Sequence, residues 1–401
     1  MLFRTSHVFS GMCRNEWLRI IVNYQFKFGT FQSAVHISPK IPSLSEIALA
    51  YSLEKFSPLV ICDENTAYLA DAICASTQAP RCILPAGEKN KNWASVERIL
   101  RAASDSGLGR DGLFVGVGGG VVGDLSSLAA SIYKRGCNLC LVSTTLLGMV
   151  DASVGGKTGI DLFGVKNLAG TFYPARHIFI PIESLATLPL PEWKSGMAEL
   201  IKTAVLSGDA FLDELYSIAG LFPPESFQAG FPDGFASRLL LGDALISCIA
   251  GAIKVKGRIV SADPMEMGNK RMLLNLGHTF AHSLEAALGL GAISHGEAVA
   301  WGIARSCELG LLRHVTPQKR AEKIIGLLKA FGYEIRAPYP VPNADRQTIN
   351  NFNDAFIKAM KTDKKKKAGK YPFIVPNKNS AVSLILSDDD IATVVKIING
   401  I

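Results

Sequence analysis

No apolar run in this chain approaches the ~20 residues that a membrane-spanning helix needs, although hydrophobic residues make up 48% of its 401 positions. A membrane partner is therefore not expected. Charge is sparse, at 19% of residues, which together with the apolar content describes a folded chain rather than a disordered one. The basic residues are scattered apart from Lys364–Lys367, and no cationic stripe is interleaved with aromatics. Nucleic acid is not an expected partner either. Internal repeats and low-complexity tracts are also missing. The first twenty residues, MLFRTSHVFSGMCRNEWLRI, have no clean apolar stretch and no small-residue cleavage site. We read them as a loose extension before the first strand, not a signal peptide. Without secretory features, the eight cysteines are expected to be reduced thiols in a cytoplasmic protein. Cys137 and Cys140 form a CxxC, but in the strand-like run CNLCLVS residues three apart point to opposite faces. That argues against a zinc or redox pair.

What is present begins with a charge imbalance. Lys and Arg number 42 against 35 Asp and Glu, a formal net charge of +7, which suits an anionic small substrate. The length is sufficient for two domains with their own cores. In the first half, Ser57–Cys62, Arg81–Leu84, Leu113–Val117 and Leu139–Ser143 read as buried strands. Helices are expected between them, one through Ala75 and others over Ala94–Ser106 and Leu125–Tyr133. This alternation predicts an α/β domain whose parallel sheet is covered on both faces. From about Pro189 helices take over: Glu192–Leu206, Ala210–Ile218, Ser237–Val260, Met272–Ala287, Ala298–Leu312 and Gln318–Phe331. A loop at Leu221–Gly234 and a late strand, YPFIV, complete this half.

Three of the seven histidines fall between Arg271 and Glu297. His278 and His282 are four apart, so they share a helix face, and His295 follows a glycine-rich break. Clustered imidazoles in apolar surroundings point to a buried metal site. A core helix with hydrogen-bonded histidines explains the same residues. Glu199 and Lys202, in MAELIK, read either as an i,i+3 ion pair worth ~0.3 kcal/mol or as a metal ligand beside a substrate contact. Two imidazoles and one carboxylate with an open position make a catalytic zinc set.

Gly118–Asp124, GGGVVGD, follows an apolar strand and opens a helix. Glycines there let the backbone approach a pyrophosphate at the positive end of the helix, although a tight strand–helix turn needs them too. No acid lies at the usual distance downstream, so Asp63, at the end of an earlier strand, is a candidate for ribose. In PAGEKNK, Glu88 has the chemistry to bind ribose hydroxyls and Lys91 to reach a phosphate, unless this is a plain charged loop. Asp151–Asn167, DASVGGKTGIDLFGVKN, is a glycine-rich loop with two cations, Lys157 and Lys166, and the neutral Asn167. Such lysines commonly contact phosphate or carboxylate.

Taken in order, GGGVVGD, VSTTLLGMVDASVGGKTGI with GVKN, GMAELIK, LLNLGHTFAHSLE and HGEAVAWG resemble 3-dehydroquinate synthase over roughly residues 55–375. The resemblance implies a Rossmann-like NAD-binding domain over residues 1–190 and a mainly helical metal- and substrate-binding domain over 191–401. It implies a lyase of the shikimate pathway, a homodimer, that converts the anionic sugar phosphate 3-deoxy-arabino-heptulosonate 7-phosphate to 3-dehydroquinate and phosphate. Its cofactors would be NAD and a divalent metal, zinc or cobalt. The implied metal ligands are Glu199, His278 and His295, with His282 beside them as a substrate or proton-relay residue. The substrate positions are Asp151, Lys157, Asn167, Lys202, Arg271 and Asn275, with Lys364 or Lys365 matching a late DKK motif. NAD would be held by Asp63, Asn65, Glu88 and Lys91, by Gly119, Gly120, Val121, Val122, Gly123 and Asp124, by Thr144 and Thr145, and by Lys157, Lys166 and Thr187.

Some positions depart from the family pattern. Pro264 stands where Glu is usual, and the Asp263–Arg271 segment is one residue longer, which puts that loop and Lys256 before it in question. GTFYPARH, KTA after Glu199, and Ala281 are further departures, none at a proposed ligand. Three other readings remain open: another sugar-phosphate cyclase, such as a 2-deoxy-scyllo-inosose or valiolone synthase; a metal-dependent polyol dehydrogenase; and a non-catalytic homologue that binds NAD or a partner.

Overall fold

The structure is a computed structural model and describes residues 22–52, 57–222, 243–289, 291–337, 345–362 and 369–400. The N-terminal extension, Lys364 and Lys365, most of the expected 221–234 loop and the start of the helix expected from Ser237 lie outside the described residues. The chain divides into two units, Met1–Leu188 and Pro189–Ile401. No helix among the described residues is long and apolar enough to cross a membrane.

The first unit is built on a seven-stranded sheet. Its strands in chain order are β1 (Val22–Phe28), β2 (Phe31–Ser38), β3 (Pro58–Asp63), β4 (Arg81–Leu84), β5 (Leu113–Gly118) and β6 (Asn138–Ser143). After a separate hairpin, β7 (Ile160–Leu162) and β8 (Val165–Ala169), β9 (His177–Pro181) returns to the sheet. The order is β1-β2-β9-β6-β5-β3-β4, parallel except for the β1–β2 hairpin. The central strands β5, β6 and β9 are buried along almost their whole length, because both faces of a parallel sheet are covered. Val60, Val115 and Val142 pack with Ile47, Leu69 and Ile73 from two of the covering helices. The expected β3 to β6 are present, and the glycine turn opens its helix at Gly120 rather than Leu125. The Asp151–Asn167 stretch read as one glycine-rich loop instead begins at the end of a five-residue π turn, Gly148–Ala152, and runs into the β7–β8 hairpin. Sequence pattern also left β1, β2 and β9 unassigned.

The second unit is mainly helical. Its helices include Leu190–Ser207, Asp209–Ala219, Asp243–Ala262, His278–Leu288, His295–Leu312, Gln318–Ala330, Arg346–Thr362 and Ile391–Asn399. One antiparallel hairpin, β10 (Lys370–Pro376) with β11 (Ala381–Ser387), contains the expected YPFIV strand. The helix expected over Met272–Ala287 is corrected: Arg271–Asn275 is a short 3-10 turn, and the α-helix starts only at His278. Gly277 breaks it with a φ of 80°, a left-handed conformation that favours glycine.

Candidate functional site

In the second unit, the helix Leu190–Ser207 buries nearly every position from Trp193 to Leu206. Two charged residues sit inside it, Glu199 at 0% and Lys202 at 1% exposure. Buried charges must be paired, and Lys202 Nζ pairs with Glu199 Oε2. The other carboxylate oxygen, Oε1, faces two imidazoles. His278 Nε2 is 3.5 Å away and His295 Nε2 is 3.6 Å away. At these separations Oε1 accepts no hydrogen bond of ordinary geometry from the described residues.

Each histidine is delivered by a helix start. His278 follows Gly277, where a Cβ would meet the Ile303 backbone nitrogen at 2.9 Å. Gly302, one residue earlier on the facing helix, is pressed closer still, since its Cβ would lie 2.1 Å from Gly277 O. Glycine on both sides therefore lets the two histidine-bearing helices approach almost backbone to backbone. His295 opens its own helix behind a Ser294–Glu297 capping box, which satisfies the first amide groups. His278 Nδ1 lies 3.2 Å from Leu276 O, so this nitrogen is assigned the proton and Nε2 is left as a free lone pair.

The electrostatics follow from this geometry. Burial, and then Lys202, push His278 down to about 3. Burial alone would raise the Glu199 carboxyl, but Lys202, then His278 and His295, hold it well below the usual carboxylate range. Burial also opposes charge on His295, yet the facing carboxylates of Glu199 and Glu285 outweigh it and push the imidazole up to about 9. Near neutral pH the cluster thus holds a carboxylate, one neutral imidazole, one imidazolium and one ammonium. Donor atoms of Glu199, His278 and His295 all lie within 4.8 Å of one another. Ligands ~2.0–2.2 Å from a tetrahedral ion stand ~3.4 Å apart, close to the two measured separations. The trio therefore fits a divalent cation.

His282 lies on the same helix as His278, exposed, with ring centroids 5.3 Å apart. The loop in question before Arg271 is well organised. Asp263 accepts backbone hydrogen bonds from Gly268 at 3.0 Å and Arg271 at 3.1 Å. The guanidinium of the buried Arg271 donates to the carbonyl of Pro264. Asn275 donates to Met272 O, and Lys256 is also buried. Sequence pattern overlooked Glu285, whose Oε1 lies 3.6 Å from His295 Nδ1. The signal was there: Glu285 is seven residues after His278 and three after His282, on the same helical stripe.

In the first unit, β3 and β5 are parallel neighbours, and the strand order reverses between them, since the chain leaves β3 for β4 on one side and returns to β5 on the other. Ligands of open α/β sheets bind in the crevice at such a switch point. Asp63 ends β3 and Gly118 ends β5. Gly118, Gly119, Gly120 and Gly123 line a cleft together with Ser143 and Ser153. A Cβ on Gly123 would meet nothing within 4 Å and one on Gly120 only Ala152 at 3.5 Å. Side chains there would fill the cleft without clashing, so glycine keeps room for a ligand. The helix that starts at Gly120 has no side-chain cap, and its N-terminal glycines line that cleft. This suits a pyrophosphate.

Lys91 is buried, and its Nζ reaches Asn167 Oδ1 and Asp124 Oδ2, both at 2.6 Å. Burial opposes its charge, but Asp124 and Glu88 raise its pKa above the ordinary value. Three of the candidate residues, far apart in sequence, are thereby joined. Asp63 is engaged by Thr66, which donates from its backbone at 3.0 Å and its hydroxyl at 2.8 Å. Thr145 Oγ1 accepts from Gly148, Thr144 is buried, and Thr187 shares a 2.6 Å hydrogen bond with Tyr68. Asp151 sits in the π turn, a distortion frequent at functional sites. Val121 and Val122 are in the first turn of the Gly120 helix. Asn65, Glu88, Lys157 and Lys166 are exposed, the last two on either side of the β7 strand.

The family models for the 3-dehydroquinate synthase N-terminal and C-terminal regions match residues 81–195 and 196–366. The 3-dehydroquinate synthase of Pseudoalteromonas atlantica is 36% identical over 302 residues, 75% of this chain and 78% of that protein. That of a Shewanella species is 33% identical over 357 residues, covering 88% of this chain and 92% of the relative. Among solved structures, a 2-deoxy-scyllo-inosose synthase complexed with carbaglucose-6-phosphate, NAD+ and Co2+ superposes with a TM-score of 0.75 at 22% identity, over 94% of this chain and 99% of that one. At that identity it bears on the fold alone, a Rossmann-like α/β unit followed by a helical one. On the family models and the sequence relatives, the chain belongs to the 3-dehydroquinate synthase family.

Proposed function

We propose that this chain converts 3-deoxy-arabino-heptulosonate 7-phosphate to 3-dehydroquinate and phosphate, with Glu199, His278 and His295 holding a divalent cation, zinc or cobalt, and the β5 glycine turn holding NAD. The observation that carries the reading is the buried carboxylate oxygen of Glu199 facing two imidazole nitrogens at 3.5 and 3.6 Å. When bound, NAD supplies a reversible hydride acceptor and the cation a Lewis acid for a substrate hydroxyl.

The chain's own residues do the rest. Glu199 lowers the net charge of the centre, while the neutral His278 adds none. Lys202 holds the Glu199 carboxylate in one orientation and brings a buried positive charge beside the trio for an anionic substrate. Arg271 and Asn275, on one short turn anchored by Asp263, bind the substrate carboxylate and hydroxyls. Lys157 and Asn167 bind its phosphate, and the exposed His282 relays protons at the edge of the cluster. Asp63, Glu88 and Thr187 take the NAD ribose and amide groups, and Lys91 ties the Asp124 turn to the Asn167 hairpin. A strong dedicated base is not needed, because the leaving phosphate itself can accept the proton removed next to the transient ketone. Positioning of charged ends carries much of the barrier reduction. The reading makes the protein a cytoplasmic homodimer with neither membrane nor nucleic acid as partner.

Phosphate release from the heptulosonate phosphate tests this. It should require both NAD and metal, stop with chelator, and leave no net NADH. Net NADH formation on a polyol, with no phosphate release, would identify a dehydrogenase instead.

A further inference from the structure

We propose that Glu285 is a positioning residue for the metal centre: its carboxylate holds the Nδ1–H of His295 and so keeps Nε2, the nitrogen a bound cation would take, turned toward Glu199. The proposal rests on the reading of Glu199, His278 and His295 as the cation's ligands. An imidazole that donates a lone pair through one nitrogen carries its proton on the other, and the partner of that proton fixes the ring's tautomer and orientation. His278 has such a partner in the carbonyl of Leu276, 3.2 Å from Nδ1. For His295, the group facing Nδ1 is Glu285 Oε1 at 3.6 Å, while Nε2 faces Glu199 Oε1 at the same distance. The separation is a few tenths of an ångström beyond a hydrogen bond, within a small torsional adjustment of either side chain. Glu285 is itself buried, on the stripe of its helix that carries His278 and His282. Donor atoms of His282, Glu285 and His295 also lie within 4.8 Å of one another, which raises a second cation as the rival reading. One ring nitrogen cannot hold a proton and ligate a cation at once, and His282 is exposed, so the single-cation arrangement is favoured.

The test is zinc affinity of the full chain, measured by competition with a chromophoric chelator, for Glu285→Ala, Glu285→Gln and His278→Ala. Loss of the partner should weaken binding ~10–100-fold in Glu285→Ala. Glu285→Gln, whose amide oxygen can still accept from Nδ1, should lose less, though at least threefold. Cobalt-loaded Glu285→Ala should also show an altered d–d absorption spectrum. Zinc binding within twofold of the parent in both Glu285 variants overturns the proposal; if Glu285→Ala does not fold, Glu285→Gln decides alone. Loss of a second zinc equivalent with the first unchanged also overturns it, since Glu285 would then be a ligand. His278→Ala separates the two levels: normal zinc binding there sinks the metal centre itself, whereas loss there with normal Glu285 variants sinks only the positioning role.

Discussion

Gly296 lies so close to Ser195 that a Cβ on it would stand 2.3 Å from Ser195 Cα. This contact seats the start of the His295 helix on the helix that carries Glu199, one residue from one ligand and four from the other. The expected result of Gly296→Ala is therefore double. Overpacking should cost ~1–3 kcal/mol of stability, read from urea denaturation, and zinc stoichiometry should fall in the same protein. Full zinc content with lost stability would show that the contact matters for packing alone.

Lys202 balances a buried carboxylate, so its removal should be felt most when no cation is present. Lys202→Met is expected to destabilise the metal-free protein by about 3–5 kcal/mol, the usual cost of leaving one member of a buried pair behind. Saturating zinc should recover part of that loss by compensating Glu199. Parallel denaturation curves with zinc and with chelator make the comparison.

The two ligand histidines give opposite pH dependences in the metal-free protein. His295 is pushed up to about 9 from 6.5, so its contribution to stability is complete below pH 6.5 and is lost as pH rises toward 9. His278 is pushed down to about 3 from 6.5, so the folded state favours its neutral form, and stability is lost as pH falls from 6.5 toward 3. Zinc binding near pH 7.5 must displace the His295 proton. Calorimetric titrations in buffers of different ionisation enthalpy should find about one proton released per zinc; no release would contradict this protonation pattern.

Lys157 is exposed, so Lys157→Ala should fold normally by circular dichroism. Loss of a charged hydrogen-bond donor to phosphate, worth ~1.5–3 kcal/mol, predicts a fall of roughly 10–100-fold in kcat/KM for the heptulosonate phosphate. Unchanged kinetics would remove Lys157 from the phosphate site.

The strands β3 to β6 were legible because buried parallel strands read as unbroken apolar runs between turn signals. The strand β9, HIFIP, has the same character but follows the irregular Asp151–Asn167 stretch. The break before His278 was missed because apolar residues continue across it, while the extended Leu276 (ψ 126°) and the left-handed Gly277 (φ 80°) interrupt the helix. Glu285 was missed for a different reason. Its spacing from His278 was visible, but a carboxylate on a helix face is ordinarily a surface group, and only burial distinguishes it.

The sequence by itself determined the donor types, the local spacing of His278, His282 and Glu285, and the glycine turn after β5, since each depends on neighbours within two helical turns. The family motifs named Glu199, 79 residues before His278, as the third donor. Only the tertiary structure decided that its Oε1 lies 3.5 Å from His278 and 3.6 Å from His295, and that Lys91 joins Asp124 to Asn167. Those relations depend on how closely separate backbones can approach. At the histidine cluster Gly277, Gly296 and Gly302 permit that approach, and residue spacing along the chain does not encode it.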